Sequence, residues 1–229
     1  MAPSIFLTRS RDRSKEFINQ LSTISKKITT KSLIDFSVVT FSSIPLSDWI
    51  FFYSQKGVKF FFDNIEKEGL RIGKNVKFAV FGNSTASFLE SFVNSVDFVG
   101  TADAFATAKS FLEVASDQSV VFVKGTNSMD SLRPYLQEKM IYIDLVVYEN
   151  RPKTNVELSY HDILVFTSPM NLTAYLMNSE ILTDQTIFVI GTSTATTALQ
   201  SDIESFRVPR TPSISALAEC VEEYILSDH

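Results

Sequence analysis

Three strand–helix units occur twice in this chain, in the same order and at nearly constant spacing. DWIFFYSQKGVKFF (residues 48–61) is matched by HDILVFTSPMNLTAYL (161–176), which sets Ser54 against Ser168, 114 residues on. KFAVFGNSTASFL (77–89) is matched by TIFVIGTSTATTAL (186–199), pairing Gly82 with Gly191 and Thr85 with Thr194 at an offset of 109. SVDFVGTADAFATAKSF (95–111) and SFRVPRTPSISALAEC (205–220) keep the same offset through Val99 and Val208. Recurrence of whole supersecondary units implies two domains of one fold.

Each unit joins a short run rich in Val, Ile and Phe to a stretch of helical period, and the rest of the chain follows suit. SIFLT precedes SKEFINQLSTI, SVVFVKG precedes MDSLRPYLQEKM, and IYIDLVVYENRP adds another strand. Apolar runs of this length are strands buried on both faces, and the helices between them are the crossovers of parallel sheets. The fold is therefore α/β, with helices covering both faces of each sheet. The second copy runs to the C-terminus, whereas further strands follow the first, and SIFLT with its helix precedes both. Residues 1–37 with 153–229 then form one discontinuous domain, and 38–152 the other. The chain crosses twice, near 38–44 (VVTFSSI) and 146–152 (VVYENRP), which predicts a two-stranded linker and an interdomain cleft.

With 45% hydrophobic residues, 229 positions suffice for cores of that size. A net charge of −5 argues against a surface that coats nucleic acid, which needs clustered, unopposed cations. No apolar run approaches the roughly 18 residues of a membrane span, and no secretory segment is evident. A cytoplasmic monomer acting on a small molecule is the expectation. Seven basic residues among the first 31 (Arg9, Arg11, Arg13, Lys15, Lys26, Lys27 and Lys31) face only Asp12 and Glu16, a bias seen in organelle address segments. SIFLT nonetheless reads as the first strand of the fold, and a removable address cannot supply one.

One cysteine, Cys220, excludes an intrachain disulfide and a cysteine metal cluster. It shares the apolar stripe of an amphipathic helix with Leu217, Val221, Tyr224 and Ile225. Two histidines leave little material for a transition-metal site or a Ser-His-Asp triad. His229 is the last residue, and His161 falls in a polar turn where a solvated role is expected. Neither a metal nor a cofactor is expected.

Ligands of open parallel sheets bind outside the carboxyl ends of the strands, where helix N-termini present free N–H groups. Here those places read Thr8-Arg9, Ser54-Gln55-Lys56-Gly57, Gly82-Asn83-Ser84-Thr85, Lys124-Gly125-Thr126, Ser168-Pro169-Met170-Asn171 and Gly191-Thr192-Ser193-Thr194. Small and hydroxylic residues cap helices in any protein. Several such loops at one cleft also suit an extended, multiply anionic ligand. The dinucleotide GxGxxG pattern is absent, since TRSRDR follows the first strand, and there is no GxxxxGK string.

In its N-terminal IFLTR, the paired WIFFYSQKGVKFF and ILVFTSPMNLTAYL, FGNSTASFL, VVYENRP and IGTSTATTAL, the whole chain resembles the uroporphyrinogen-III synthase family. The resemblance implies two flavodoxin-like domains and a cofactor-free, cyclising hydro-lyase of tetrapyrrole biosynthesis. Such an enzyme closes linear hydroxymethylbilane while inverting its last pyrrole ring. It also implies an octacarboxylate substrate held by backbone amides and hydroxyls. Residue by residue, it points to Tyr148 near the leaving hydroxyl, to hydroxyls at Thr85, Ser168 and Thr194, and to a basic group at Lys56; the strand-end loops add Thr8, Arg9, Ser54, Gly57, Gly82, Ser84, Gly125, Pro169, Met170, Asn171 and Thr192 as candidate substrate contacts. The family often carries an arginine after the IGTSTA loop, where this chain has TTALQS. A two-lobed, non-catalytic module for an anionic ligand is the rival reading.

Overall fold

The computed structural model describes residues 2–101, 103–128 and 130–227, and His229 lies outside them. Its contacts divide the chain into two units, one of residues up to Asp35 together with those from Arg151 on, the other Phe36–Asn150. The division falls inside one strand at each crossing, two residues before each boundary expected above.

In the first unit, four parallel strands stand in the order β10 (Thr186–Val189), β9 (Ile163–Phe166), β1 (Ser4–Leu7) and β2 (Lys27–Thr30). Every residue of β1 and β9 is buried, and successive side chains serve opposite faces. Ile5, Leu7, Ile163 and Val165 pack under α1 (Lys15–Leu21) and α8 (Ile214–Ser227). Phe6, Leu164 and Phe166 pack under α6 (Pro169–Leu176) and α7 (Thr192–Gln200). Two-sided burial is why these strands are continuous apolar runs and not alternating ones. Cys220 is half-buried against the first of these clusters.

The second unit has the order β3 (Ile34–Val38), β8 (Ile141–Pro152), β7 (Ser119–Gly125), β4 (Trp49–Phe52), β5 (Lys77–Phe81) and β6 (Phe98–Gly100). From β8 to β6 all pairings are parallel. β3 runs against β8, since Val39 N–H donates to Val147 O and Lys153 N–H to Leu33 O. Ile50 and Phe52 face the cluster under α2 (Gln55–Glu68) and α3 (Asn83–Leu89). Trp49 and Phe51 face α4 (Ala104–Ala115) and α5 (Arg133–Leu136).

The repeat is a true structural one, but permuted. β4, β5 and β6 occupy the places of β9, β10 and the segment at Arg207, while β7 and β8 take those of β1 and β2. Numbered along the chain, the first unit has the 2-1-3-4-5 order of flavodoxin-type sheets, counting the Arg207 segment as the fifth strand. With the antiparallel β3 set aside, the five parallel strands of the second unit read 5-4-1-2-3 from β8 to β6, the same arrangement opened at a different loop.

Three sequence expectations change. SFRVP is no strand but a single parallel bridge from Arg207 to Phe188. Pro209, two residues on, has no N–H to extend a ladder. The helix expected over MDSLRPYLQEKM contracts to Arg133–Leu136, with Pro134 in its first turn. His161 is not solvated: it is 1% exposed beside the Phe6 ring, and Nδ1 and Nε2 lie 2.8 and 2.7 Å from Ser159 O and Thr29 Oγ1. A neutral ring that donates from Nδ1 and accepts at Nε2 satisfies both contacts, and burial pulls its pKa below the usual histidine value.

Candidate active site

In each unit the direction of strand addition reverses at the sheet centre, between β1 and β9 in the first and between β7 and β4 in the second. Such switch points leave a crevice at the carboxyl ends of the strands. The loops named from the sequence lie at those ends.

In the first unit, Thr8 and Thr167 interlock across the switch point. Thr8 Oγ1 donates to Val165 O (3.1 Å) and accepts from Thr167 N–H (3.0 Å), while Thr167 Oγ1 donates to Thr8 O (2.7 Å). The Thr8 hydroxyl is fully buried and has no proton left to offer a ligand. Arg9 follows, its Nε donating to Arg13 O, and burial together with Arg13 lowers its pKa. Ser168 caps α6 in extended conformation, accepting from Asn171 N–H and Asn171 Nδ2. The Asn171 side-chain oxygen accepts from Leu33 N–H at 2.9 Å, so this cap is itself braced. Pro169 and Met170 are half-buried in the first turn of α6. At the start of α7, Thr192 is exposed, whereas Thr194 is fully buried and its hydroxyl has no hydrogen-bond partner among the described residues.

In the second unit, Ser54 repeats the part of Ser168. It caps α2 in the same extended conformation and accepts from Gly57 N–H at 3.2 Å. A β-carbon on Gly57 would meet Val123 O at 3.4 Å, an ordinary van der Waals contact. Lys56 lies with Nζ 3.7 Å from the centre of the Phe36 ring. Gln55, named in the strand-end loop but given no role there, ties this helix start to the next by donating to Ser84 O at 2.8 Å. Gly82 precedes α3 with φ of 87°, a left-handed conformation that excludes ordinary side chains. Ser84 is exposed and Thr85 buried.

Tyr148 owes its direction to a β-bulge. The β7–β8 register advances between Lys124, opposite Val146, and Gly125, opposite Tyr148. Val147 and Tyr148 consequently both pack into the α2–α3 cluster, where strict alternation would separate them. The Tyr148 ring is only 7% exposed, stacked on Phe60 and directly over Gly125. Its hydroxyl lies 3.4 Å from Ser128 Oγ. Ser128 also accepts from Gly125 N–H at 2.9 Å, which closes the loop after β7.

A second polar group gathers at this sheet end, of which the sequence reading named only Lys124. Asp130 accepts from Lys124 Nζ (2.7 Å), Arg133 Nε (2.8 Å), Tyr53 OH (2.8 Å) and Tyr142 OH. Lys124 also pairs with Asp144 at 2.8 Å, and Arg133 pairs with Asp144 too. Burial pushes the Asp130 pKa up, but the bonds from Lys124, Tyr142, Tyr53 and Arg133 outweigh it and hold the carboxylate well below its usual value. Burial is also the largest cause of the raised pKa values of Tyr53 and Tyr142, whose phenols stay protonated as donors.

The family model of uroporphyrinogen-III synthase HemD matches residues 27–219. The chain belongs to the uroporphyrinogen-III synthase family. The fold is shared with a uroporphyrinogen-III synthetase of Helicobacter pylori, at 21% identity and a TM-score of 0.71 over 98% of this chain and 100% of that one. A mutant uroporphyrinogen III synthase of the extremely thermophilic bacterium Thermus thermophilus aligns at 14% identity and a TM-score of 0.58 over the whole of both chains. No match was found among curated proteins. Among the described residues no helix is long and apolar enough to cross a membrane.

Proposed function

We infer that the chain carries out its family's reaction, closing linear hydroxymethylbilane to uroporphyrinogen III with inversion of the last pyrrole ring and loss of water. That makes it a cyclising hydro-lyase of tetrapyrrole, and hence haem, biosynthesis. The family match over residues 27–219 carries this reading.

The substrate presents eight carboxylates, and the strand-end loops of both units offer groups that suit them. An N-cap hydroxyl that accepts from its own helix still has an O–H to donate. Ser54 and Ser168 are such groups, each at the N-terminus of its helix, α2 and α6, where the positive end of the dipole favours an anion. The loops Gly82–Thr85 and Thr192–Thr194 add backbone donors, and Lys56 and Arg9 add charge. Pro169 and Met170 shape the α6 entrance. Thr8 acts by fixing the switch point, since its hydroxyl is engaged. The protein works as a monomer in the cytoplasm, without metal or cofactor.

Loss of the substrate hydroxyl gives an azafulvene cation stabilised by its own pyrrole nitrogen, so strong acid is not required. Attack by the α-carbon of the last ring gives a spiro intermediate, whose fragmentation and reclosure invert that ring. What the protein must supply is the folded pose, a matter of orientation. Tyr148, with its phenol edge beside Ser128, hydrogen-bonds the departing water.

The deciding assay is incubation with freshly generated hydroxymethylbilane in the presence of a chelator, then separation of the oxidised porphyrin isomers. The type III isomer is expected. Type I alone, at the rate of the buffer control, would leave the non-catalytic anion-binding module as the better account.

A further inference from the structure

The loop from β7 to α5 is held at both ends, and the two anchors differ in kind. On its β7 side Thr126 N–H donates to Tyr148 O at 2.9 Å, Asn127 Nδ2 to Asn150 O at 3.2 Å, and Ser128 Oγ meets the Tyr148 phenol. On its α5 side Asp130 is fixed by two cations and two phenols, Lys124 from β7, Tyr142 from β8, Arg133 from α5 and Tyr53 just after β4. Lys124 and Asp130 are each less than one-fifth exposed, so these ion pairs are poorly screened. Four donors on one carboxylate define its position far more sharply than a surface loop requires. Among the described residues, the polar side chain this loop brings to the Tyr148 hydroxyl is Ser128, two residues from Asp130.

We propose that Asp130 is a positioning residue for the reaction: its ion and phenol contacts hold the β7–α5 loop so that Ser128 orients the Tyr148 hydroxyl toward the substrate's leaving group. The proposal rests on the role given to Tyr148 above. Shifts of about 1 Å in reacting groups can cost on the order of 10²-fold in rate. Loosening one anchor while Asp144 still holds Lys124 and Arg133 should cost less, roughly three- to tenfold.

Asp130→Asn tests it, because the amide keeps the shape and an acceptor for the tyrosines but removes the charge that binds Lys124 and Arg133. The turnover number should fall roughly three- to tenfold with KM unchanged. The loss should be absent when the substitution is made in a Tyr148→Phe background, where there is no hydroxyl to orient. Ser128→Ala leaves the ion network intact and should give a similar loss, again non-additive with Tyr148→Phe. It keeps the proposal testable should Asp130→Asn fold poorly. Three results would overturn the positioning role. One is a lowered melting temperature with unchanged turnover in Asp130→Asn, another is losses that multiply fully with Tyr148→Phe, and the third is a Tyr148→Phe enzyme indistinguishable from the unmodified one. An unmodified protein that makes no type III isomer would instead refute the functional reading itself.

Discussion

Gly125→Ala is the substitution for which the structure gives the sharpest forecast. Gly125 does not have the positive φ that would demand glycine, so an alanine there should stabilise by about 0.4 to 1 kcal/mol through the unfolded state if nothing stood in the way. The Tyr148 ring does stand in the way. A β-carbon on Gly125 would lie 2.4 Å from Tyr148 Cε2, 2.5 Å from Cζ and 3.0 Å from Cδ2. Carbon atoms pack at about 3.5 to 4.0 Å, so the ring must retreat by roughly 1 Å. Phe60 and Phe36 back it, with ring centres 5.3 and 6.0 Å away. Overpacking of this kind costs about 1 to 3 kcal/mol, and the net loss should be about 1 to 2 kcal/mol. Urea unfolding followed by circular dichroism measures it. Tyr148→Ala removes all three obstructing atoms, so the double variant should be at least about 1 kcal/mol more stable than the sum of the single changes implies. A Gly125→Ala protein as stable as the unmodified one, or more so, would refute the close packing of Tyr148 on the bulge.

Other outcomes follow from single groups. Thr194→Val keeps the shape of a buried side chain while deleting a hydroxyl that has no partner among the described residues, so the ligand-free protein should be unchanged or more stable by up to about 1 kcal/mol in urea unfolding. If the same hydroxyl meets a substrate carboxylate, KM should rise several-fold in steady-state kinetics. Ser54→Ala and Ser168→Ala each remove an N-cap and should cost about 1 kcal/mol in the same unfolding assay. Burial keeps His161 neutral and lowers its folded pKa below the unfolded value of about 6.5, so its contribution is complete above that pH and is lost as pH falls toward the folded pKa. Stability measured from pH 7.5 down to 5 should fall more steeply in the unmodified protein than in His161→Gln.

The strands that were legible in sequence are those buried on both faces. WIFF, VVFV and ILVF are continuous apolar runs because helices cover each side, and their duplication gave the order of units along the chain. KITT forms β2 at a sheet edge with no fully buried position, so its composition gave no signal. SFRVP carried the repeat spacing, which suggested a strand where proline permits only a bridge. The capping serines were legible because a cap is local, three residues from its N–H donor. The Asp130 group was not, since Tyr53 reaches it across 77 positions of sequence and Tyr142 across 12. The bulge that turns Tyr148 depends on the register between β7 and β8, which no single strand encodes. The burial of His161 has a related cause. The turn around it is polar, but Thr29 and Phe6, far earlier in the chain, close over the ring.

Our central proposal is that the strand-end loops receive the carboxylates of an anionic substrate, and backbone amide resonances test it most directly. Titration with the octacarboxylate product should shift the amides of Ser54 to Gly57 and Gly82 to Thr85 in one unit, and of Ser168 to Asn171 and Gly191 to Thr194 in the other. Amides at these loops that stay unmoved at saturating product, with shifts confined to other surfaces, would contradict the proposal and reduce the duplication to a feature of the fold alone.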